Sequence, residues 1–261
     1  MKDIRPCAAK KHSELALEWD QLAEERHRQI ASGHDLSFDH VLVPTMLHLF
    51  EGADTGLVLD IGSGTGDFTA RLARVAKRVV GLEPSRASVT VARASCLEAP
   101  NVGFLEVALE EAACVLRGES ATAAVASMTL MTTPDLGNFA RALASLLQNH
   151  AKFIATLAHP WFWPRYWGYE MEAWFSYSRE TFIDAPFVIS RCRTEVRTTH
   201  VHRPLEQYVS VFASAGFRLE ALVEPLPSPD IQALYPRPWQ FPRFIGLRWA
   251  KVPHAGMKPR G

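Results

Sequence analysis

Apolar residues recur along this chain in two rhythms. Between His12 and Ile30 the positions Leu15, Ala16, Leu17, Trp19, Leu22, Ala23 and Ile30 stand among charges at helical spacing, which predicts one amphipathic helix lying over a core as a lid. Ser37 then precedes Phe38, Val41, Leu42, Met46, Leu47, Leu49 and Phe50, the pattern of a Ser-capped second helix that ends near Gly52. The rhythm changes at 57–61, where Leu-Val-Leu-Asp-Ile forms a short apolar run, broken by glycines and followed by helical spacing from Asp67 to Ala76. A second run at 78–82 ends at Glu83, and Pro84-Ser85 opens a helix through Val89, Ala92 and Cys96.

Further strands are predicted at 102–107, 123–128 and 153–157, with helices at 109–116 and 136–147 between them. Strands alternating with helices imply a parallel sheet with helices on both faces. After His159-Pro160 the pattern breaks into a run crowded with rings, including Trp161, Trp163, Tyr166, Trp167, Tyr169 and Trp174, which predicts a cap. Arg203-Pro204 starts a helix that passes Tyr208 and Phe212 and stops at Gly216, and 217–224 and 244–252 read as two closing strands. The expected organisation is a helical lid over 1–52, a core over 53–158 and 203–252, a cap insertion over 159–202 after the fifth strand, and a flexible tail over 253–261.

Composition narrows the function. The 28 basic residues balance the 28 acidic ones, so no net field draws the chain to nucleic acid or an anionic membrane. No apolar run approaches the roughly 18 residues of a membrane span, and the N-terminus lacks the apolar core of a signal peptide. Cys7, Cys96, Cys114 and Cys192 are scattered without Cys-x-x-Cys pairs, which predicts free thiols and a cytoplasmic protein.

The candidate chemistry centres on Asp60-Ile61-Gly62-Ser63-Gly64-Thr65-Gly66-Asp67. Glycine permits positive φ and lets a ligand approach without a Cβ in the way, so this turn can lie against a nucleoside. Glu83, at the end of the next strand, is placed to accept hydrogen bonds from ribose hydroxyls. A dinucleotide fingerprint would need its third glycine at position 67, where Asp67 stands and would oppose a pyrophosphate.

With its glycine turn and Glu83, this segment resembles the class I S-adenosylmethionine-dependent methyltransferases over roughly residues 55–160. The resemblance implies an α/β, Rossmann-like fold with a seven-stranded, mostly parallel sheet, and S-adenosylmethionine as cofactor. It also implies a donor site built from Asp60, Gly62, Ser63, Gly64, Gly66, Glu83, Pro84, Leu109, Glu110, Ser127 and Met128. Many members carry an aspartate near position 107 or 108 for the adenine amine; here those positions are Val107 and Ala108, which leaves Glu110 or backbone for that contact.

The acceptor is expected over the carboxyl ends of the fourth and fifth strands. Candidate bases are His159, at a strand end, and His200 and His202, one residue apart on an extended segment; with no third ligand in sight, no metal is expected. Met131, Trp163, Tyr166, Trp167, Tyr169 and Arg203 are the expected substrate contacts. Rings in such number favour a small aromatic or apolar acceptor, handled by a monomer or homodimer with no nucleic-acid or membrane partner. The alternative is an S-adenosylmethionine-binding cyclase or isomerase of the same fold that transfers no methyl group.

Overall fold

The computed structural model describes residues 3–116, 118–189 and 192–253; apart from Pro253, the expected tail lies outside them. The chain opens with β1 (Arg5–Pro6), followed by α1 (His12–Asp20) and α2 (Ala23–Ala31). One helix was expected here. The two form instead because the chain turns at Gln21-Leu22, a turn that buries Leu22 completely. A π-helical turn (Phe38–Leu42) leads into α3 (Val43–Phe50). Asp35 rather than Ser37 serves its start, accepting the N–H of Phe38 at 3.1 Å, while Ser37 pairs with the Tyr235 hydroxyl.

The core alternates strand and helix: β2 (Leu57–Ile61), α4 (Thr69–Leu72), β3 (Arg78–Leu82), α5 (Arg86–Ser95), β4 (Val102–Leu105), α6 (Leu109–Val115), β5 (Ala121–Ser127), α7 (Leu136–Leu146) and β6 (Leu147–Ala158). The short helix α8 (Phe162–Trp167) follows, stopped by left-handed Gly168. β7 (Thr181–Val188) and β8 (Arg193–His202) pair as an antiparallel hairpin, with β1 on its edge. The cap read from its rings is therefore largely a β-sheet. α9 (Leu205–Ser214), β9 (Phe217–Val223), α10 (Pro229–Gln232) and β10 (Phe244–Lys251) complete the chain.

The main sheet has seven strands in the order β4-β3-β2-β5-β6-β10-β9, and β10 alone runs against its neighbours, as the resemblance implies. Its central strands β2, β3 and β5 are largely apolar because both faces of the sheet are covered. Successive residues enter opposite cores: Leu59, Ala124 and Phe153 pack beneath α6, α7 and α9, whereas Val58, Ala123 and Ile154 meet α3 and α4. On the first face Phe153 stacks on Trp249 with centroids 5.3 Å apart, and each ring so buried contributes about 1.5–3 kcal/mol. The strand order reverses between β2 and β5, and a crevice opens at the carboxyl ends where these two diverge.

Candidate active site

The turn after β2 enters that crevice. Gly62, Gly64 and Gly66 all have positive φ, but they serve different ends. A Cβ on Gly62 would run into the Thr129 side chain, and one on Gly66 would press on Ala92 at 3.0 Å; both glycines let elements pack. A Cβ on Gly64 would meet nothing within 4 Å, so the space in front of it is left for a ligand.

Glu83 fixes this turn from the next strand. One carboxylate oxygen accepts the N–H of Gly64 at 2.9 Å and the other the N–H of Ser85 at 2.8 Å. Burial pushes its pKa up to about 7, against these two hydrogen bonds, with Asp60 and Asp20 adding to the rise. Asp60, wholly buried at the end of β2, is raised to about 6 by desolvation and receives the Thr69 hydroxyl at 2.6 Å. Among the described residues, the buried Ser63 Oγ and Glu110 Oε2 find no hydrogen-bond partner. Both belong to residues on the wall of one cavity of about 310 Å³, along with Asp60, Gly64 and Glu83. Unmatched buried acceptors and donors are costly, and the polar groups of a bound nucleoside would satisfy them. The open face of Gly64 and these unmatched oxygens fit S-adenosylmethionine.

Residues 58–150 match the family described as a methyltransferase domain. Over those residues the chain carries a methyltransferase domain, and its cofactor is S-adenosylmethionine. Solved structures share its fold at low identity. The 1,6-didemethyltoxoflavin-N1-methyltransferase from Burkholderia thailandensis, bound to 1,6-didemethyltoxoflavin and S-adenosylhomocysteine, is 16% identical with a TM-score of 0.61, covering 96% of this chain and 95% of that one. An S-adenosylmethionine-dependent methyltransferase from Mesorhizobium loti is 18% identical with a TM-score of 0.55, over 79% and 96%. Another from Clostridium acetobutylicum is 10% identical with a TM-score of 0.59, over 90% and 99%. No curated protein matches the chain in sequence.

The donor side of the methyltransferase domain is closed from above by the lid. Asp20, the last residue of α1, accepts the Ser85 hydroxyl at 2.7 Å and the N–H of Ala87 at 2.9 Å, so the lid caps the start of α5 beside Glu83. His12 meets Glu110 at 3.2 Å, and that contact raises the histidine pKa. The cap completes the roof: Glu18 of α1 accepts the N–H of Thr199 at 2.7 Å, and Trp19 packs edge-on against Phe187. Asp20 caps α5 beside this site and Arg243 lines its cavity, yet neither has a local motif; the partners of Asp20 lie more than sixty residues along the chain.

Of the expected donor residues, Asp60, Gly62, Ser63, Gly64, Glu83, Pro84, Leu109, Glu110, Ser127 and Met128 line the cavity, and Gly66 stands behind the wall against α5. Met128 takes a left-handed conformation, φ 58°, where β5 ends. Of the expected acceptor residues, Met131, Trp163, Tyr166, Trp167 and His200 line it as well.

Four others do not. His159 is occupied: Nδ1 accepts the N–H groups of Trp161 and Phe162, and Nε2 donates to Glu224 at 2.7 Å, so it caps α8 rather than facing the acceptor. His202 donates through Nε2 to the Tyr177 carbonyl at 2.9 Å. Tyr169 is buried, with its hydroxyl 3.4 Å from His200 Nε2. Arg203, expected at the acceptor, is buried in protein: it pairs with Glu180 at 2.6 Å and donates to the carbonyls of Leu130, Thr133 and Pro134, clamping the loop after β5.

His200 therefore stands out among the candidate bases. Burial, helped by His202, lowers its pKa to about 4 and keeps the ring neutral at physiological pH.

Proposed function

We propose that this protein methylates O, N or C of a small aromatic or apolar metabolite, with S-adenosylmethionine as donor. The observation that carries this reading is that one cavity of about 310 Å³ joins the glycine turn and Glu83 to the ring-lined wall of Trp163, Tyr166 and Trp167 under lid and cap. A cleft of this size suits a small molecule, and a wall of rings selects planar apolar bodies. The Burkholderia thailandensis neighbour, with 1,6-didemethyltoxoflavin bound, supports the same class of acceptor by analogy.

When bound, the donor supplies an electrophilic methyl group on a sulfonium. Glu83 accepts hydrogen bonds from the ribose hydroxyls, and Glu110 Oε2 and Ser63 Oγ take up polar groups of the nucleoside. The lid and cap exclude water, which strengthens the site's electrostatics and prevents hydrolysis. The wall of rings favours a positive centre through its faces and holds the acceptor in line, where alignment supplies much of the rate. Neutral His200, with one ring N–H and one bare nitrogen, offers a hydrogen bond to the acceptor atom and carries no charge at neutral pH.

No helix among the described residues is long and apolar enough to cross a membrane. With cysteines scattered and unpaired in the described residues, a cytoplasmic monomer or homodimer is part of this reading. The test is to incubate the protein with S-adenosylmethionine and a panel of aromatic acceptors and to quantify S-adenosylhomocysteine. Acceptor-dependent accumulation supports methyl transfer. An acceptor converted without it would move the assignment to a cyclase or isomerase, and no conversion of any acceptor would count against the small-molecule reading.

A further inference from the structure

At the far end of the cavity, away from Glu83, stands a cation that the donor site does not use. Arg243 precedes β10, lines the cavity, and is only 8% exposed. Its guanidinium lies 4.1 Å from the Tyr166 ring, 4.5 Å from Trp239 and 5.5 Å from Tyr235. Its polar contacts are the Arg237 carbonyl at 3.2 Å and the side chain of Tyr166. Neither is a carboxylate. Of the other basic residues on the wall, Arg26 faces Asp35 at 2.7 Å, His12 faces Glu110 at 3.2 Å, and His200 is neutral. Among the described residues Arg243 has no acidic partner within ion-pair distance.

A buried cation without a counter-ion is expensive, and desolvation accordingly lowers the pKa of this arginine. The surrounding rings stabilise its faces but neutralise nothing. With five N–H donors in one plane and rings over the faces, the free direction is in the plane, where a carboxylate is held by two parallel hydrogen bonds. A phosphate dianion would call for more than one unmatched cation. We infer that Arg243 is the receptor for a carboxylate on the methyl acceptor, so that the substrates are aromatic or unsaturated acids; this rests on the small-molecule reading above.

The donor has a carboxylate of its own, and the experiment separates the two sources. Arg243 precedes β10, four strands across the sheet from β3, whose end carries Glu83. Four steps at ~4.8 Å set the two backbones about 19 Å apart. The affinity of Arg243→Gln for S-adenosylhomocysteine reports on the donor's carboxylate, and the acid-to-amide preference reports on the acceptor's.

The test uses the whole protein loaded with S-adenosylhomocysteine and titrated by calorimetry with benzoate, 4-hydroxybenzoate and cinnamate, each beside its primary amide. The expected result is that one or more acids bind the wild type about tenfold or more tighter than the matching amide. Arg243→Gln removes that preference, Arg243→Lys restores part of it, and S-adenosylhomocysteine binds both variants within about threefold of wild type. Because the acid-to-amide comparison is made on the wild type, it stands even where a variant folds poorly. Equal binding of acids and amides, or binding of neither, overturns the inference while leaving the donor site intact. A tenfold loss of S-adenosylhomocysteine in a folded Arg243→Gln variant overturns it in favour of the donor's carboxylate. Failure of S-adenosylhomocysteine to bind the wild type would instead bring down the methyltransferase reading itself.

Discussion

The N–H of Gly64 donates to the carboxylate of Glu83 across 2.9 Å, joining the turn after β2 to the end of β3 in one unit. The same carboxylate holds the N–H of Ser85, which in turn meets Asp20 of the lid. Substituting Glu83→Gln keeps an acceptor for only one of these N–H groups and removes the charge. S-adenosylhomocysteine affinity should fall about ten- to a hundredfold, equivalent to roughly 1.4–3 kcal/mol, with little change in far-UV circular dichroism. Unchanged affinity would exclude Glu83 from the ribose site.

The same residue predicts a proton linkage. In the ligand-free protein Glu83 titrates near 7 and Asp60 near 6, both above the values of free carboxyls. A carboxyl raised by folding keeps its proton when the unfolded chain has lost it. These two groups therefore reduce stability as pH rises from about 4.5 through about 7. Ribose hydroxyls donate to the ionised form, so ligand binding lowers the Glu83 pKa and releases a proton. Near pH 6.5 the binding enthalpy should be more negative in Tris than in phosphate, because the released proton is taken up exothermically by Tris, and affinity should rise with pH up to about 7.5. An enthalpy independent of buffer would show that Glu83 does not change its charge on binding.

Two glycines of one turn should fail in different ways. At Gly64 a side chain enters space left for the ligand, so Gly64→Val should abolish S-adenosylhomocysteine binding and lower stability by only about 1–2 kcal/mol, the cost of a left-handed residue. At Gly66 the new Cβ meets Ala92 and Phe104 as well as an unfavourable φ of 82°. Gly66→Val should cost more in thermal unfolding than Gly64→Val does.

Arg203→Met removes the partner of Glu180 and leaves the carbonyls of Leu130, Thr133 and Pro134 without their donors. Loss of one side of a buried charged network costs about 3–5 kcal/mol, seen as a fall in Tm. A change in activity with no change in Tm would return Arg203 to the substrate.

His200 and His159 should separate kinetically. His200→Phe should reduce kcat/KM for the acceptor about tenfold with donor affinity intact, and because His200 protonates only near pH 4, the wild-type rate should show no histidine titration from pH 5 to 8. His159→Ala uncaps α8, which carries Trp163 and Tyr166, and should lower Tm and raise the acceptor KM. An inflection near pH 6.5 in the rate that vanishes in His200→Phe would contradict the neutral ring.

What the sequence determined by itself is local. Short apolar runs, helical spacing and the glycines of 62–66 are fixed by interactions within a few residues, so the sheet, the glycine turn and the place of Glu83 at a strand end were legible in the sequence. Even there, near neighbours misled: Ser37 looked like a cap, but Asp35 was better placed to receive the N–H of Phe38. Tertiary structure alone decided which side chains face the cavity. Arg203 and Arg243 stand alike in sequence, one before a helix and one before a strand. Only packing surrounds the first with carbonyls and Glu180 and the second with rings, leaving Arg243 without a counter-ion among the described residues. His200 and His202 likewise share a strand face but diverge through contacts with Tyr169 and Tyr177, more than twenty residues away in the chain. Charge and hydrogen-bonding groups take their role from the partners that folding brings to them, and those partners are not written at any fixed spacing.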